Sequence, residues 1–385
     1  MSIMRRRGEK MRLREELGRL ALKIIFYPKY HFQFTYKNVD PTRKDPYFLI
    51  SNHPSLHDPL FVNIKLIKYP YPVTGNLLYT NPIYNFLLTR IVKSIAKRKG
   101  QSDVQTIRGI LNAFHKDHRG IGIFPEGNSS YFGQQSDVSL LTTAKLIKKV
   151  KHEVVVAKIN GGYLAAPRWG IRRRKGDFHI HYEPLFFPDE IEEYSLQQME
   201  DILKNAIAFN DYEWNRERKI IYHSNKKAHG LETYIYVCPK CEGVQTLEPK
   251  GNDIFCKHCG KIAHINPYEL LEGLPFDNLI EWDKLQKTMI PGIVKNELHT
   301  TGRLIEIDFK NKKRIVIGDM DITLNNRLLV LKNKKHQHEF NVAQIEGLVL
   351  TQKNFLSFDY DERTFLIRIN DPMLFMDSIN YLKGE

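Results

Sequence analysis

The chain of 385 residues has few cysteines and no long apolar segment. All four cysteines fall between positions 238 and 259, so the rest of the chain has no cysteine nucleophile. No run reaches the roughly 18 apolar residues that a membrane-spanning helix needs. The N-terminus also lacks the apolar stretch and cleavage site of a signal peptide. We therefore expect a cytoplasmic protein with reduced cysteines.

Acidic residues are the scarcer charged type. There are 58 Lys and Arg against 44 Asp and Glu, which gives a net charge of +14 and a pI near 9.4. Such a surface attracts nucleic acid, phospholipid headgroups or phosphorylated cofactors, and charge alone does not choose among them. Repeats and low-complexity tracts are absent, and we expect two or three folded domains for this length.

The first 30 residues combine basic side chains with apolar residues at helical spacing. Lysines and arginines surround the apolar positions, which are Leu13, Leu17, Leu20 and Ile24. We expect a basic amphipathic helix over residues 1–30, ended by Pro28. Such a helix either lies in the headgroup layer of an anionic membrane or packs on a domain core, and both alternatives stay open.

Short apolar runs alternate with helical segments between residues 31 and 232. Runs typical of buried strands occur at 47–51, 120–124, 154–159 and 179–182. Helical spacing occurs at 58–66, 82–97, 104–116, 140–150 and 197–228. Strands alternating with helices predict an α/β domain of layered architecture.

A histidine and an aspartate stand together where the first of these strands ends. Residues 52–58 read Asn-His-Pro-Ser-Leu-His-Asp, at the start of a predicted helix. If the loop folds back, the Asp58 carboxylate accepts a hydrogen bond from one nitrogen of His53 and leaves the other nitrogen as a base. Alternatively, Asp58 is the N-cap of the helix. We interpret the neighbouring His57 as structural.

No residue is an evident protein nucleophile to accompany this pair. No serine stands in a Gly-x-Ser-x-Gly turn, and the cysteines lie far along the chain. A base and its orienting carboxylate without a nucleophile indicate that the nucleophile is a hydroxyl group of the substrate. This pattern points to a transferase.

A second motif, Phe-Pro-Glu-Gly at residues 124–127, follows another predicted strand. The Asn-His-x-x-x-x-Asp and Phe-Pro-Glu-Gly blocks, in this order and at this separation, resemble the glycerolipid acyltransferase family. The resemblance is to its 1-acylglycerol-3-phosphate and lysophospholipid acyltransferases, and it covers residues 47–188.

The resemblance implies roles for three residues and a class of substrates. His53 is the general base, Asp58 orients it, and Glu126 binds the substrate. We predict that Gly127, next to Glu126, also contacts the substrate through backbone N–H groups near it. The acyl group comes from acyl-CoA or acyl carrier protein. It goes to the hydroxyl of a lysophospholipid such as 1-acylglycerol-3-phosphate, in phospholipid biosynthesis.

The family also has a basic residue between the two blocks that helps to hold the phosphate of the acceptor. Arg98 is the best local match, with Lys97 beside it, because a guanidinium binds two phosphate oxygens at once. The chain departs from the family at residues 128–130, which read Asn-Ser-Ser instead of Thr-Arg-Ser. Ser129 stands where an arginine is expected, which leaves the acceptor headgroup open.

The cysteines form two Cys-x-x-Cys hooks with 14 residues between them, at Cys238, Cys241, Cys256 and Cys259. Gly243 or Gly260 follows each hook and lets the chain turn back. Four thiolates on two tight turns can surround one Zn²⁺ ion, so we expect a zinc ribbon at 233–266. Its role is structural because four sulfur ligands leave no open position. Disulfides are the alternative, which a cytoplasmic location disfavours.

Residues 298–385 change to a strand-rich pattern that one helix closes, after a helical linker at 267–297. The predicted strands are at 304–308, 314–317, 327–331, 346–350 and 364–369, and the helix is at 371–382. This order resembles the pleckstrin-homology-like fold in architecture only. Some members of that fold bind lipid headgroups, but function does not follow from the fold.

Together these features predict a cytoplasmic acyltransferase that is peripheral on the inner face of the membrane and acts at an anionic membrane surface. Two alternatives stay open. Zinc ribbons and positive charge are common in nucleic-acid-binding proteins, although the spread of the basic residues along this chain disfavours nucleic acid. The second alternative is a non-catalytic lipid-binding scaffold.

Overall fold

The computed structural model describes most of the chain, namely residues 16, 20, 23–97, 104–325 and 327–384. The described residues form two compact units. The first unit contains the chain up to Ser130 together with Gln134–Ala165 and Arg174–Ile220, and the second contains Tyr131–Gly133, Ala166–Arg173 and the chain from Ile221 onward. Most of the helix predicted for residues 1–30 lies outside the described residues, as does Arg98.

The first unit is built on one seven-stranded sheet. Its strands are β1 His31–Tyr36, β2 Phe48–Ser51, β3 Tyr71–Gly75, β4 Ile95–Lys97, β5 Ile121–Ile123, β6 Val154–Asn160 and β7 Asp177–Phe186. Their order is β1-β7-β6-β2-β5-β3-β4, and every neighbouring pair is parallel except β6 and β7. All four residues of β2 are buried, as expected for a central strand covered on both faces.

Besides the helical residues 23–26, seven α-helices of the first unit have their bounds among the described residues. They are α1 Asp58–Phe61, α2 Pro82–Phe86, α3 Val104–His115, α4 Leu141–Val150, α5 Gly162–Ala165, α6 Leu196–Ile207 and α7 Asp211–Arg218. The chain continues from α2 directly into a π-helix, Leu87–Val92. The mixed α/β architecture predicted for this part of the chain is confirmed.

Three of the predicted helices of this unit are wrong in extent. The segment 58–66 is an α-helix only from Asp58 to Phe61. The segment 82–97 is helical only to Val92, because Lys93 takes a left-handed conformation with φ of 52° and the chain then forms β4. The segment 197–228 is two helices, because the side chain of Asn210 accepts hydrogen bonds from the N–H groups of Tyr212 and Glu213 and begins α7 anew. Lys219, again left-handed, ends α7.

The second unit is largely antiparallel β-structure. A four-stranded sheet contains β8 Leu247–Lys250, β9 Asp253–Cys256, β10 Gly260–Ile265 and β11 Leu271–Glu272. The helix α8, Leu279–Ile293, follows. It begins later than the predicted linker helix, because the Asn278 side chain accepts a hydrogen bond from the Glu281 N–H and caps α8 there.

A seven-stranded sheet and a last helix complete the second unit. The strands are β12 Leu298–Asp308, β13 Lys313–Asn325, β14 Leu328–Lys332, β15 Gln337–Asn341, β16 Glu346–Thr351, β17 Phe355–Tyr360 and β18 Arg363–Ile369. Their order is β15-β14-β13-β12-β18-β17-β16, and α9, Pro372–Lys383, packs against β16 and α8. The β-rich C-terminal region is confirmed, whereas its pleckstrin-homology-like identity stays a prediction. Strands β15 and β17 were not predicted.

We expect Gly120→Ala to destabilise the first unit, because a Cβ atom at Gly120 would overlap the carbonyl oxygen of Tyr47 and separate β5 from β2. Overpacking of this kind costs about 1–3 kcal/mol. The control is Gly122→Ala, two residues further along and within β5, where a Cβ atom would meet nothing closer than 3.8 Å. Chemical denaturation measures both, and equal stabilities of the two variants would contradict the packing described for these strands.

Candidate active site

The candidate active site lies at the carboxyl ends of β2 and its parallel neighbours β5 and β6. Crevices at this edge of an open α/β sheet commonly bind ligands. Asn52, the first residue after β2, is fully buried and joins this strand end to β6. Its side chain donates to Ile159 O at 2.7 Å and accepts from Ile159 N at 2.7 Å. The loop that carries His53 therefore begins at a fixed point.

His53 and Asp58 are hydrogen-bonded, as the sequence predicted. His53 Nδ1 lies 3.0 Å from Asp58 Oδ2, and the His53 side chain is 12% exposed. The imidazole also packs on the ring of Phe124, with the two ring centroids 4.8 Å apart. The hydrogen bond to Asp58 and the contact with Phe124 thus hold the imidazole in place. In this orientation Nδ1 is engaged, and the other nitrogen, Nε2, can accept a proton.

Asp58 is fully buried, and two further donors come from Ser55. The carboxylate accepts from Ser55 N at 2.7 Å and from Ser55 Oγ at 2.5 Å. Burial raises the pKa of Asp58, while the hydrogen bond from His53 acts in the opposite direction. Asp58 is the first residue of α1 and His57 holds the N-cap position, so the alternative of Asp58 as the N-cap is wrong. Ser55 was missed by the sequence analysis.

Glu126 is hydrogen-bonded to the loop that carries His53. Its two carboxylate oxygens accept from His53 N and Ser136 N, each at 2.9 Å, and burial raises the pKa of Glu126. Ser130 N donates to His53 O at 2.8 Å, so a second contact ties the loop after β5 to the same residue. In this arrangement Glu126 positions the backbone of His53. Its predicted contact with substrate stays a prediction.

Gly127 takes a left-handed conformation, with φ of 73°, and its N–H donates to Phe124 O at 3.0 Å. This turn directs the chain from β5 back toward the backbone of His53. The Gly127 N–H therefore already has an acceptor within the turn. The substrate-binding role predicted for Gly127 stays a prediction.

Of the two residues predicted to hold phosphate, Lys97 lies in the edge strand of the sheet. Lys97 is the exposed last residue of β4, and Arg98 follows it outside the described residues. Strands β5 and β3 separate β4 from β2, which places the end of β4 roughly 14 Å from β2 at the usual strand spacing. A phosphate bound there requires an acceptor of extended shape.

Asp211 is a further buried acid near the site that the sequence analysis missed. Its carboxylate accepts from Gly161 N at 2.9 Å and from Tyr163 N at 2.8 Å, at the start of α5. A Cβ atom at Gly162 would lie 2.9 Å from Cγ of Pro54, the residue after His53. Asp211 thus holds the turn against which the loop that carries His53 packs. Burial raises its pKa to about 7.

The four cysteines come together in the second unit, with all sulfur atoms within 4.8 Å of one another. Sγ of Cys241 and Sγ of Cys256 are 3.7 Å apart. Four sulfurs at the usual Zn–S distance of about 2.3 Å form a tetrahedron with edges of about 3.8 Å, so this donor set fits Zn²⁺. The left-handed residue of the first hook is Glu242 and not the predicted Gly243, whereas Gly260 turns the second hook as predicted.

The first unit is therefore an α/β domain with a histidine–aspartate pair at the end of its central strand. Residues 33–173 match the family model described as Acyltransferase. This part of the chain, which contains the pair and the Phe-Pro-Glu-Gly motif, belongs to the acyltransferase family. The family resemblance seen in the two motifs is confirmed.

Three solved structures are similar to parts of the chain. The 1-acyl-sn-glycerophosphate (LPA) acyltransferase PlsC from Thermotoga maritima is 16% identical, with 56% of this chain and 83% of that chain covered and a TM-score of 0.41. The Ran binding domain of Nup2 from Ashbya gossypii is 12% identical, with 23% and 97% covered and a TM-score of 0.19. Inner membrane complex sub-compartment protein 3 from Toxoplasma gondii is 13% identical, with 22% and 72% covered and a TM-score of 0.16.

All three TM-scores are below 0.5, so these likenesses carry no weight for function. None of the curated protein sequences compared with the chain matches it.

The raised pKa of Asp211 predicts a pH-dependent stability. The folded state binds the proton more tightly than the unfolded state, where the ordinary value is 3.8. The free energy of unfolding of the wild type, relative to Asp211→Asn, should therefore fall as the pH rises from about 4 to about 7 and then level off. Asp201→Asn, which changes an exposed aspartate of α6, is the control. Parallel curves for the wild type and Asp211→Asn would contradict the assignment.

Proposed function

We propose that this protein transfers a fatty acyl group from acyl-CoA or acyl carrier protein to the hydroxyl of a lysophospholipid such as 1-acylglycerol-3-phosphate, in phospholipid biosynthesis. The observation that carries the proposal is the 3.0 Å contact between His53 Nδ1 and Asp58 Oδ2, within the residues that match the acyltransferase family. The order and separation of the two motifs support the choice of a glycerolipid acceptor.

The reaction begins with His53 as the general base. Nε2 removes the proton of the acceptor hydroxyl while Nδ1 keeps its hydrogen bond to Asp58, whose carboxylate stabilises the imidazolium. The alkoxide oxygen attacks the thioester carbonyl and forms a tetrahedral oxyanion. When this intermediate collapses, the carbon–sulfur bond breaks and the imidazolium proton goes to the leaving thiolate. An ester and a free carrier thiol result, with no protein-bound intermediate.

Other residues position His53 and bind the phosphate of the acceptor. Glu126 and Ser130 hold the backbone of His53 in place, which keeps the imidazole oriented toward the acceptor. We assign phosphate binding to Arg98 with Lys97 beside it, because a guanidinium binds two oxygens of a phosphate.

We also propose that the four cysteines hold one structural Zn²⁺ ion. The support is the donor set, four sulfur atoms within 4.8 Å of one another on two short turns. When bound, the ion neutralises the thiolates and cross-links the turn at Cys238 to the hairpin between β9 and β10. A closed set of four sulfurs leaves no position for substrate, so this site has no part in acyl transfer.

The proposed location is the inner face of the membrane, where the protein is peripheral. No helix among the described residues is long and apolar enough to cross a membrane. The net charge of +14 supports attraction to anionic headgroups. At this surface the enzyme meets acceptors that reside in the bilayer and donors that come from the cytoplasm.

His53→Ala is expected to reduce release of the carrier thiol about a thousandfold, because the general base is lost. The assay supplies acyl-CoA or acyl-carrier-protein donors with a panel of lysophospholipids and measures the free thiol. His57→Phe is the matched control, since a phenyl ring keeps the contact with Phe61 (centroids 5.9 Å apart) and activity should persist. Full activity in His53→Ala would refute the proposed function.

Metal analysis should find about one zinc ion per chain. Cys259→Ser should lose the ion, and the second unit should unfold at lower temperature. His258→Ala is the control, because Nδ1 of His258 is 3.9 Å from Cys241 Sγ but the four sulfurs already complete the site. Wild-type protein that is folded and free of metal would rule out the zinc site.

A further inference from the structure

In the first unit, the chain between β3 and β4 contains a helix with exposed apolar residues. It consists of α2 and the π-helix that continues it, here called the 82–92 helix. None of its residues is buried. Its large apolar side chains are exposed to unusual fractions, 70% for Ile83, 46% for Tyr84, 60% for Phe86 and 38% for Leu87.

The spacing of these residues is that of a core-facing stripe. Ile83, Phe86 and Leu87 stand at positions i, i+3 and i+4, which in a soluble protein normally face the interior. Here they face outward, and the exposed Arg90 lies in the π-helix that follows. A contiguous exposed apolar face with a basic residue at its end marks an interaction surface.

The charge around this helix favours an anionic partner. From Pro59 to Ser102 the chain contains no aspartate or glutamate. The same stretch contains seven basic residues, namely Lys65, Lys68, Arg90, Lys93, Lys97, Arg98 and Lys99. An apolar face within a purely basic segment is complementary to a bilayer of anionic phospholipid, which offers negative phosphates above an apolar interior.

We propose that the 82–92 helix docks on an anionic phospholipid surface, with Ile83, Phe86 and Leu87 among the acyl chains and Arg90 at the phosphates. Eleven residues of helix span roughly 16 Å, which is too short to cross the roughly 30 Å hydrocarbon layer, so the helix lies in the plane of the interface. Its residues are not those of the amphipathic helix predicted for residues 1–30. Docking itself does not depend on the proposed function. Only its role depends on it, which is to bring the unit with His53 to acceptors in the bilayer.

Cosedimentation of the full chain with vesicles tests the docking surface. The vesicles contain equal parts of phosphatidylglycerol and phosphatidylcholine. The variant Ile83→Ser/Phe86→Ser should bind at least about tenfold more weakly, because two apolar side chains no longer enter the hydrocarbon. In Phe86→Trp, vesicles should shift the added tryptophan emission to shorter wavelength, measured as a difference from the parent with its three tryptophans.

Two control variants separate docking from general loss of apolar surface. Ile315→Ser/Val316→Ser removes two side chains of β13 with comparable exposures, 48% and 57%, and should bind vesicles like the parent. Ile83→Leu/Phe86→Leu keeps the apolar face and should also bind. Thermal unfolding confirms that each variant is folded.

Two results would overturn the proposal. One is parental vesicle binding by Ile83→Ser/Phe86→Ser, and the other is a parent protein that does not bind the vesicles at all, as expected if a protein covers this helix. Thiol release with a water-soluble short-chain acceptor is measured in parallel and should be unchanged in Ile83→Ser/Phe86→Ser. Inactivity of the parent on every acceptor would refute the proposed function and leave the vesicle result to decide the docking surface.

Discussion

The burial of the Asp58 carboxylate is the constraint on which the candidate active site depends. Removing a carboxylate from water is costly unless hydrogen bonds replace its solvation, and Asp58 is 0% exposed. The replacements come from the N–H and hydroxyl of Ser55 and from Nδ1 of His53. All of these donors belong to the short loop between β2 and α1. The arrangement of the loop that satisfies the carboxylate is therefore also the one that aims the imidazole.

Two other buried acids order the surrounding loops in a similar way. Glu126 accepts the N–H groups of His53 and Ser136, and Asp211 accepts those at the start of α5. Loops at strand ends have backbone N–H groups without sheet partners, and a buried carboxylate satisfies two of them at once. The same burial raises the pKa of both acids. Order at the site is thus linked to the protonation of Glu126 and Asp211.

Sequence patterns predicted the features whose partners are close along the chain. The His53–Asp58 contact, α3, α4 and the buried strand β2 all lie where spacing placed them. Asp211 was missed because its partner Gly161 is 50 residues away and a backbone N–H has no signature in the sequence. Strand β4 was predicted as helix because the helical spacing of the segment 82–97 continues past Lys93. The left-handed turn at Lys93 ends the helix there.

The sequence by itself determined the chemical groups, which are an imidazole five residues before a carboxylate, four thiols on two hooks, and a basic stretch without acids. Only the tertiary structure decided that Glu126 supports the backbone of His53, that Ile83 and Phe86 face outward, and that the four sulfurs converge. The physical reason is the range of the interactions. Spacing controls contacts within a turn or loop, whereas contacts between distant segments depend on the order of the strands and on which polar groups burial removes from water.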